Sequence, residues 1–325
     1  MRLLLLFFVL LLPACSSSSD IRETRFIMGT LVEFTIAGSD HKQADQALKE
    51  AAAEMQRIEN LFTIYGNADN AVKAFNASQP GTTVKLPAEV ANLLSISLDV
   101  ERQSQQAFNP SLGKLNLLWG FSGETAPDHP PPAAIINAAR PPRQCIRRQD
   151  NNWIRTDARC MLDFGAIAKG YAIDRGIAIL RKHGIQNAII NAGGDIRIIG
   201  SHDGKPWRIG LRHPRNKGEV LGTLSLVGDI SIVTSGDYER YFDYKGKRYH
   251  HILNPQTGFP ATASQSATVL AQEATLADAW STALFVRGES GLPIMSQLGY
   301  AALTVDRQGR IHMNKAMKDI FNPSR

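Results

Sequence analysis

Three stretches of this chain combine residue types that can do chemistry. Residues 163–171 read DFGAIAKGY. Glycine and alanine put little side chain between the backbone and a ligand, so amides and carbonyls can approach it closely. Lys169 carries a charge that can neutralise a phosphate, and a helix starting there adds free N–H groups and a positive dipole end. The Walker A spacing GxxxxGK[ST] is absent. An ordinary strand-to-helix turn with a surface lysine fits the same residues. In ATLADAWSTALFV, Asp278 and Thr282 stand four apart and share one helical face. A carboxylate and a hydroxyl are oxygen donors suited to a hard cation such as magnesium, which keeps phosphate oxygens as other ligands. A polar face with an incidental acid is the plain alternative. In YHHILNPQTGFPA, His250 and His251 lead into a turn-rich loop. An imidazole there is a candidate general base near neutral pH, although a lone surface histidine fits too. Adjacent residues in extended chain point to different sides, so only one of the two faces a given ligand. Glu33, Asp195 and Asp237 stand beside turns and read as caps rather than catalysts.

These stretches need elements to hold them. Residues 25–36 alternate and read as a strand pair or one strand bent around Gly29. His41 to Leu61 is a helix with Ala44, Ala47, Leu48, Ala51, Met55, Ile58 and Leu61 on one face. The pattern predicts further helices over 87–108 and 171–183, the latter closed by Gly184, and a short one over 133–139 after a proline-rich connection. Residues 144–162 read as a hairpin, and 188–191, 196–199, 207–211, 220–227 and 230–234 as strands. An alanine-rich helix over 273–286 and a hairpin over 300–313 follow. Long helices alternating with groups of antiparallel strands make the class α+β. No internal repeat or second linker divides the chain, so residues 23–325 read as a single catalytic domain.

The 325 residues are 43% hydrophobic, enough for a sizeable core. A formal charge of +6 favours an anionic partner such as a phosphate compound or a membrane surface. Nucleic acid is not indicated, because the densest basic group, Arg140 to Arg148, carries no aromatic interleaving and fits no known motif. The chain opens MRLLLLFFVLLLPACSSSSD. Its ten-residue apolar run is too short to span a bilayer and suits a signal peptide over residues 1–14. Leu12-Pro13-Ala14-Cys15 resembles a bacterial lipobox, so Cys15 is expected to be lipidated and to head a serine-rich tether over 15–22. That places the protein on the periplasmic side of a bacterial membrane, and Ser16 after the cysteine favours the outer membrane. Cys145 and Cys160 are then in an oxidising compartment. The turn at Gln149 to Asn152 sets Cys145 opposite Thr156 rather than Cys160, which argues against a disulfide without excluding one. No CxxC or Cys/His cluster suggests zinc.

The order of the motifs says more than each alone. MGT near the start, AFNPSLGKLNLLWGF, DFGAIAKGYAIDR, NAGGDIRIIG, TSGDYERYF, HHILNPQTGFPA and ADAWSTALFV together resemble the ApbE family of FAD-dependent protein FMN transferases, across about residues 25 to 310. The resemblance implies a T-fold-like α+β architecture. It implies binding of FAD and magnesium, and transfer of FMN to a threonine or serine of an acceptor flavoprotein, here a membrane-bound redox subunit, with release of AMP. By position, Asp278 and Thr282 match the magnesium side chains, and Ala166 matches a residue that offers the metal its carbonyl. Met28, Tyr65, Ala107, Phe108, Asn109, Asp163, Lys169 and Ile252 match the flavin site, with Lys169 placed for the pyrophosphate. His251 matches the motif histidine and is the candidate base. An unperturbed imidazole in that role predicts activity that rises with pH through about 6.5. Asn109 and Asn254 stand where the family often has aspartate, which leaves their turn-forming roles intact and removes any charge role. An FAD pyrophosphatase and a flavin carrier of the periplasm are the competing readings.

Overall fold

The computed structural model describes residues 20–324, apart from Ala68, Glu124 and Ala126. The leader and Cys15 lie outside the described residues. Strands β1 (Ile21–Ile27) and β2 (Thr30–Ile36) form an antiparallel hairpin. The tether expected to reach residue 22 is therefore over by Asp20. The hairpin turns through Met28 and Gly29, both at positive φ (56° and 70°); the two-residue turn that fits strand twist needs that conformation. Helix α1 (His41–Phe62) starts where Asp40 accepts the Lys42 and Gln43 N–H groups. It buries the Ala44 to Ile58 stripe predicted for it.

Helix α2 (Ala71–Ala77) and the short β3 (Thr83–Val84) lead to α3 (Ala88–Gln103). Its apolar pattern suggested a helix as far as Phe108. Gln105 and Gln106 take positive φ (56° and 66°) and end it earlier. After α4 (Gly113–Trp119) and α5 (Ala133–Ala139) comes the hairpin of β4 (Ile146–Gln149) and β5 (Asn152–Arg155). Its register sends the Thr156 N–H to the Cys145 carbonyl (2.8 Å), as expected. A turn closed by Cys160 N–H to the Asp157 carbonyl then folds the chain back, and Cys145 and Cys160 are disulfide-bonded. The hairpin register alone keeps the two cysteines apart, and contrary to that expectation this further turn brings Cys160 back to Cys145.

Helix α6 (Ala168–Lys182) starts three residues before the sequence pattern placed it, so Lys169 sits in its first turn. Strands β6 (Ala188–Ala192), β7 (Asp195–Ile199), β8 (Trp207–Arg212), β9 (Val220–Leu226) and β10 (Ile230–Gly236) follow. Then come β11 (Tyr241–Tyr244), β12 (Lys247–His250) and β13 (Ser264–Ala271). Helices α7 (Ala274–Arg287) and α8 (Leu292–Gln297), strands β14 (Ala301–Asp306) and β15 (Ile311–Met313), α9 (Lys315–Lys318) and β16 (Phe321–Pro323) complete the chain. Eight strands form one antiparallel sheet in the order β1-β2-β6-β7-β10-β13-β14-β15. A second sheet, β16-β9-β8, packs against it through Trp207, Ile209, Leu224, Ile198 and Leu270. The helices α1, α6 and α7 share the other core with Phe34, Ile190 and Val269. The architecture is α+β, with helices packed on antiparallel strands.

Helix α7 is buried nearly all round, which its alanines permit. It meets α6 at Gly170, where a Cβ would stand 2.1 Å from the Ala274 carbonyl oxygen and 2.8 Å from Asp278 Cβ. Only glycine fits so close a backbone approach. Gly176, one and a half turns further on, would put its Cβ 2.8 Å from Ile190 Cδ1, the end of a side chain that can rotate away. Gly170→Ala should therefore lower stability by about 1–3 kcal/mol, the usual cost of overpacking a core, and Gly176→Ala by less. Urea unfolding curves of the two variants check this; equal losses would show that the α6–α7 approach is not the tight contact.

Candidate active site

The N-terminus of α6, the start of β7, the end of β10 and the polar side of α7 converge on a cleft of about 530 Å³. Its remaining walls are the β1–β2 turn, the chain after α1, the segment after α3 and the segment after β12. All twelve sequence-selected residues within the described part line it: Met28, Tyr65, Ala107, Phe108, Asn109, Asp163, Ala166, Lys169, His251, Ile252, Asp278 and Thr282.

One corner gathers oxygen donors. Asp278 is 5% exposed, and its Oδ2 accepts the Gly170 N–H (2.9 Å). A regular helix would send that N–H back to the Ala166 carbonyl. Among the described residues no other N–H takes this carbonyl, so Ala166 lines the cleft with a free oxygen. Thr282 lies one turn along α7, with its hydroxyl 3.3 Å from Ser235 Oγ. Burial and the charge of Asp195 push the Asp278 carboxyl up to about 7, against Lys169 and the Gly170 N–H. Among the described residues no group of three or more His, Cys, Asp or Glu side chains is placed to hold a metal ion. This donor set, with a carboxylate, a hydroxyl and a carbonyl, is all oxygen and suits a hard cation.

Lys169 does not stand free. Its Nζ is 2.7 Å from Asp195 Oδ2, and Asp195 also accepts the Thr234 N–H (3.3 Å). Burial works against the lysine charge, but Asp195 and Asp278 outweigh it and hold the ammonium above its ordinary value. Asp195, set aside in the sequence as a turn cap, is thus a buried partner inside the cleft. Its position directly after Ala192-Gly193-Gly194 hid it, because acids beside glycine turns usually cap. Asp237, by contrast, pairs with Arg215 through two 2.7 Å bonds, and Glu33 accepts from Asn191. Sequence reasoning also missed Glu59, whose Oε2 accepts the Met28 N–H (2.9 Å) and steadies the positive-φ turn.

The flavin-side residues carry their own supports. Asp163 accepts from Asn116 Nδ2 (2.7 Å) and from the Gly165 N–H (2.8 Å). Burial, then the charge of Asp163, raises the Tyr65 phenol to about 12, so it remains protonated. Asn109 Oδ1 accepts the Ser111 N–H (2.7 Å), and Asn254 Oδ1 accepts the Gln256 N–H (2.9 Å). Both asparagines form turns, as their positions required.

The two histidines divide as expected. His250 Nε2 donates to the Ala261 carbonyl (2.9 Å), its Nδ1 accepts the Ile252 N–H (3.3 Å), and its ring packs edge-on to Phe285. That network assigns the tautomer and uses both nitrogens. His251 faces the cleft, and its buried Nδ1 has no hydrogen-bond partner. Burial, Arg240 and His250 hold its pKa well below 6.5. The ring is therefore neutral through the physiological range, and the titration near 6.5 expected from the sequence moves to lower pH.

A profile of the ApbE family matches residues 28–304. The FAD:protein FMN transferase of Rhodobacter capsulatus is 33% identical over 92% of this chain, which spans 58% of that protein's length. The FAD:protein FMN transferase of Treponema pallidum is 31% identical over 94% of this chain and 91% of its own length. The crystal structure of an ApbE protein from Thermotoga maritima superposes with a TM-score of 0.86 at 32% identity, over 93% of this chain and 99% of that one.

Isolated from the other imidazoles by selective ¹⁵N labelling and NMR titration, His251 should show a midpoint well below 6.5. Arg240→Gln should move it upward by removing a neighbouring positive charge. A midpoint at or above 6.5 in the wild type would contradict the buried, charge-opposed setting.

Proposed function

We propose, from the premise that this chain belongs to the ApbE family, that it transfers the FMN part of FAD to a threonine or serine hydroxyl of an acceptor flavoprotein. The observation that carries the reading is the meeting of three kinds of group in one cleft. These are the oxygen donors Asp278, Thr282 and Ala166, the ammonium of Lys169, and the neutral imidazole of His251.

In this reading His251 takes the proton of the acceptor hydroxyl. The hydroxyl oxygen bonds to the phosphorus of the FMN half, and the bond from that phosphorus to the bridging oxygen breaks. AMP leaves with the electron pair, and FMN stays on the acceptor through a phosphodiester. A neutral imidazole with a free lone pair is fit to accept that proton. Lys169, held by Asp195, sits in the first turn of α6, where its charge and the helix N-terminus together favour a pyrophosphate. Asp278, Thr282 and the Ala166 carbonyl are the residues that would hold magnesium. When bound, the ion supplies charge stabilisation to the pyrophosphate oxygens and the departing AMP. Tyr65, Phe108 and Ile252 offer the apolar and aromatic surface for the flavin.

The leader sequence adds that the domain sits on the periplasmic side of a bacterial membrane. A lipidated Cys15 followed by a tether that ends at Asp20 keeps the cleft close to membrane-bound acceptors. Cys15→Ala should release the protein from membranes or block its processing, as fractionation and immunoblotting would show. A wild-type chain recovered in the soluble fraction would remove the anchor.

The test of the chemistry is incubation with FAD, magnesium and a candidate acceptor, followed by flavin fluorescence in a denaturing gel. His251→Ala should bind FAD and lower transfer by about 10²–10⁴-fold, whereas His250→Ala should retain most of its turnover once folded. Asp278→Ala should lose about 10²-fold or more, several kcal/mol of charge stabilisation, and Thr282→Ala less. At saturating magnesium, wild-type transfer should be flat from pH 6.5 to 8, because His251 is already neutral and a bound cation would keep the Asp278 carboxyl ionised; at limiting magnesium it should rise through about pH 7. Release of AMP without any labelled acceptor would favour hydrolysis, and full activity of Asp278→Ala in excess chelator would remove the metal.

A further inference from the structure

A second cavity, of about 420 Å³, adjoins the cleft. One wall consists of four consecutive residues of β8, Ile209 to Arg212. Consecutive residues of a strand point to opposite faces, so when all four line one groove it is the strand edge that faces it. β8 pairs with β9 alone in the order β16-β9-β8, and among the described residues no backbone group pairs with its outer edge. Alternate N–H and C=O groups along that edge are therefore free to pair with another strand. The opposite wall includes Leu31 of β2, the Gly193-Gly194 turn and Ile196 of β7.

The groove runs into the cleft. Thr30, Gly193, Thr234 and Glu239 line both. At that junction Arg212 pairs with Glu239 (3.0 Å), which ties the end of the β8 edge to the cleft wall. Beside that junction Leu31, whose carbonyl accepts the Gly193 N–H (3.1 Å), and its cross-strand partner Phe26 are 59% and 72% exposed, an apolar pair left uncovered on the first hairpin.

The geometry points to this groove as the docking track of the acceptor. An extended segment of the acceptor pairs with the free edge of β8, rests an apolar side chain on Leu31 and Phe26, and carries its hydroxyl past Gly193 into the cleft. The inference rests on the flavin-transfer reading, which requires a protein hydroxyl to enter beside bound FAD. The edge is four residues, roughly 13 Å at strand rise, which is short enough for a substrate that must leave after each turnover. Main-chain pairing along an edge supplies affinity, and pockets for alternate side chains supply selectivity.

The probe is a set of 15-residue peptides, each with one central threonine and alternating apolar and small polar residues, offered to the full chain with FAD and magnesium. Wild type should label a subset of them with flavin. Methylating successive backbone nitrogens of a labelled peptide should lower kcat/KM about tenfold or more at every second position and little between. Leu31→Lys should raise the peptide KM about tenfold, while FAD affinity and AMP release without peptide stay as in wild type. Val227→Lys, at another exposed apolar position (60%) between β9 and β10, should change none of these. Uniform methylation effects, a Leu31→Lys chain equal to wild type, or labelling of a folded acceptor with refusal of every peptide would each overturn the docking track. FAD cleavage by the wild type with no flavin moved to any protein or peptide would overturn the transfer reading itself.

Discussion

The contact on which the site depends is the crossing of two helices at Gly170. With no Cβ there, α6 and α7 approach until the Gly170 N–H reaches the Asp278 carboxylate. The helices hold each other at both ends of the crossing. The first turn of α6 gives its free amide to an acid of α7, and Asp174 of α6 accepts the Ala274 and Thr275 N–H groups that open α7. Asp174 is held in turn by Arg197, which also bonds Asp229. Glu273, at the N-cap position of α7, supplies no side-chain bond, so that helix is capped by its neighbour rather than by its own sequence. A carboxylate in so buried a helix is costly unless it is hydrogen-bonded or meets positive charge. Here that need keeps Asp278 aimed at the cleft.

Two histidines with nearly the same sequence context end with opposite properties because of what surrounds each ring. His250 ends β12, and both its nitrogens are used by the loop that returns at Ala261. It holds the loop in shape. His251 is fixed through its backbone, its N–H donating to the Arg240 carbonyl (3.1 Å), which leaves the ring nitrogen unbound. The fixed backbone orients the imidazole, and burial, aided by the positive charge of Arg240, keeps it neutral.

Much of this was legible in the sequence, and the gaps have physical reasons. The α1 stripe was plain because only one face of that helix is buried. Strand β13 was not predicted, since all eight of its residues are buried and no alternation marks it. Its two faces serve different cores, Val269 one and Leu270 the other. The β11–β12 hairpin left a signal that went unused, a Lys245-Gly246 turn at positive φ between alternating residues. The three-residue β16 is too short for any period to show. The site residues were found by motif order, and the burial of each was not. Asp195 in particular looks like any acid beside a glycine turn until the fold brings Lys169 within 2.7 Å of it.

The order of strands in the large sheet sets when the cleft can exist. Met28 comes from the first hairpin, while Asp278 and Thr282 come from a helix that follows β13, five strands across the sheet from β1. Contacts between such distant parts of a chain form late, because long loops must close before they are rewarded. A chain interrupted before β13 and α7 lacks one entire wall of the cleft. The whole cleft is therefore a property only of chains made beyond Thr282.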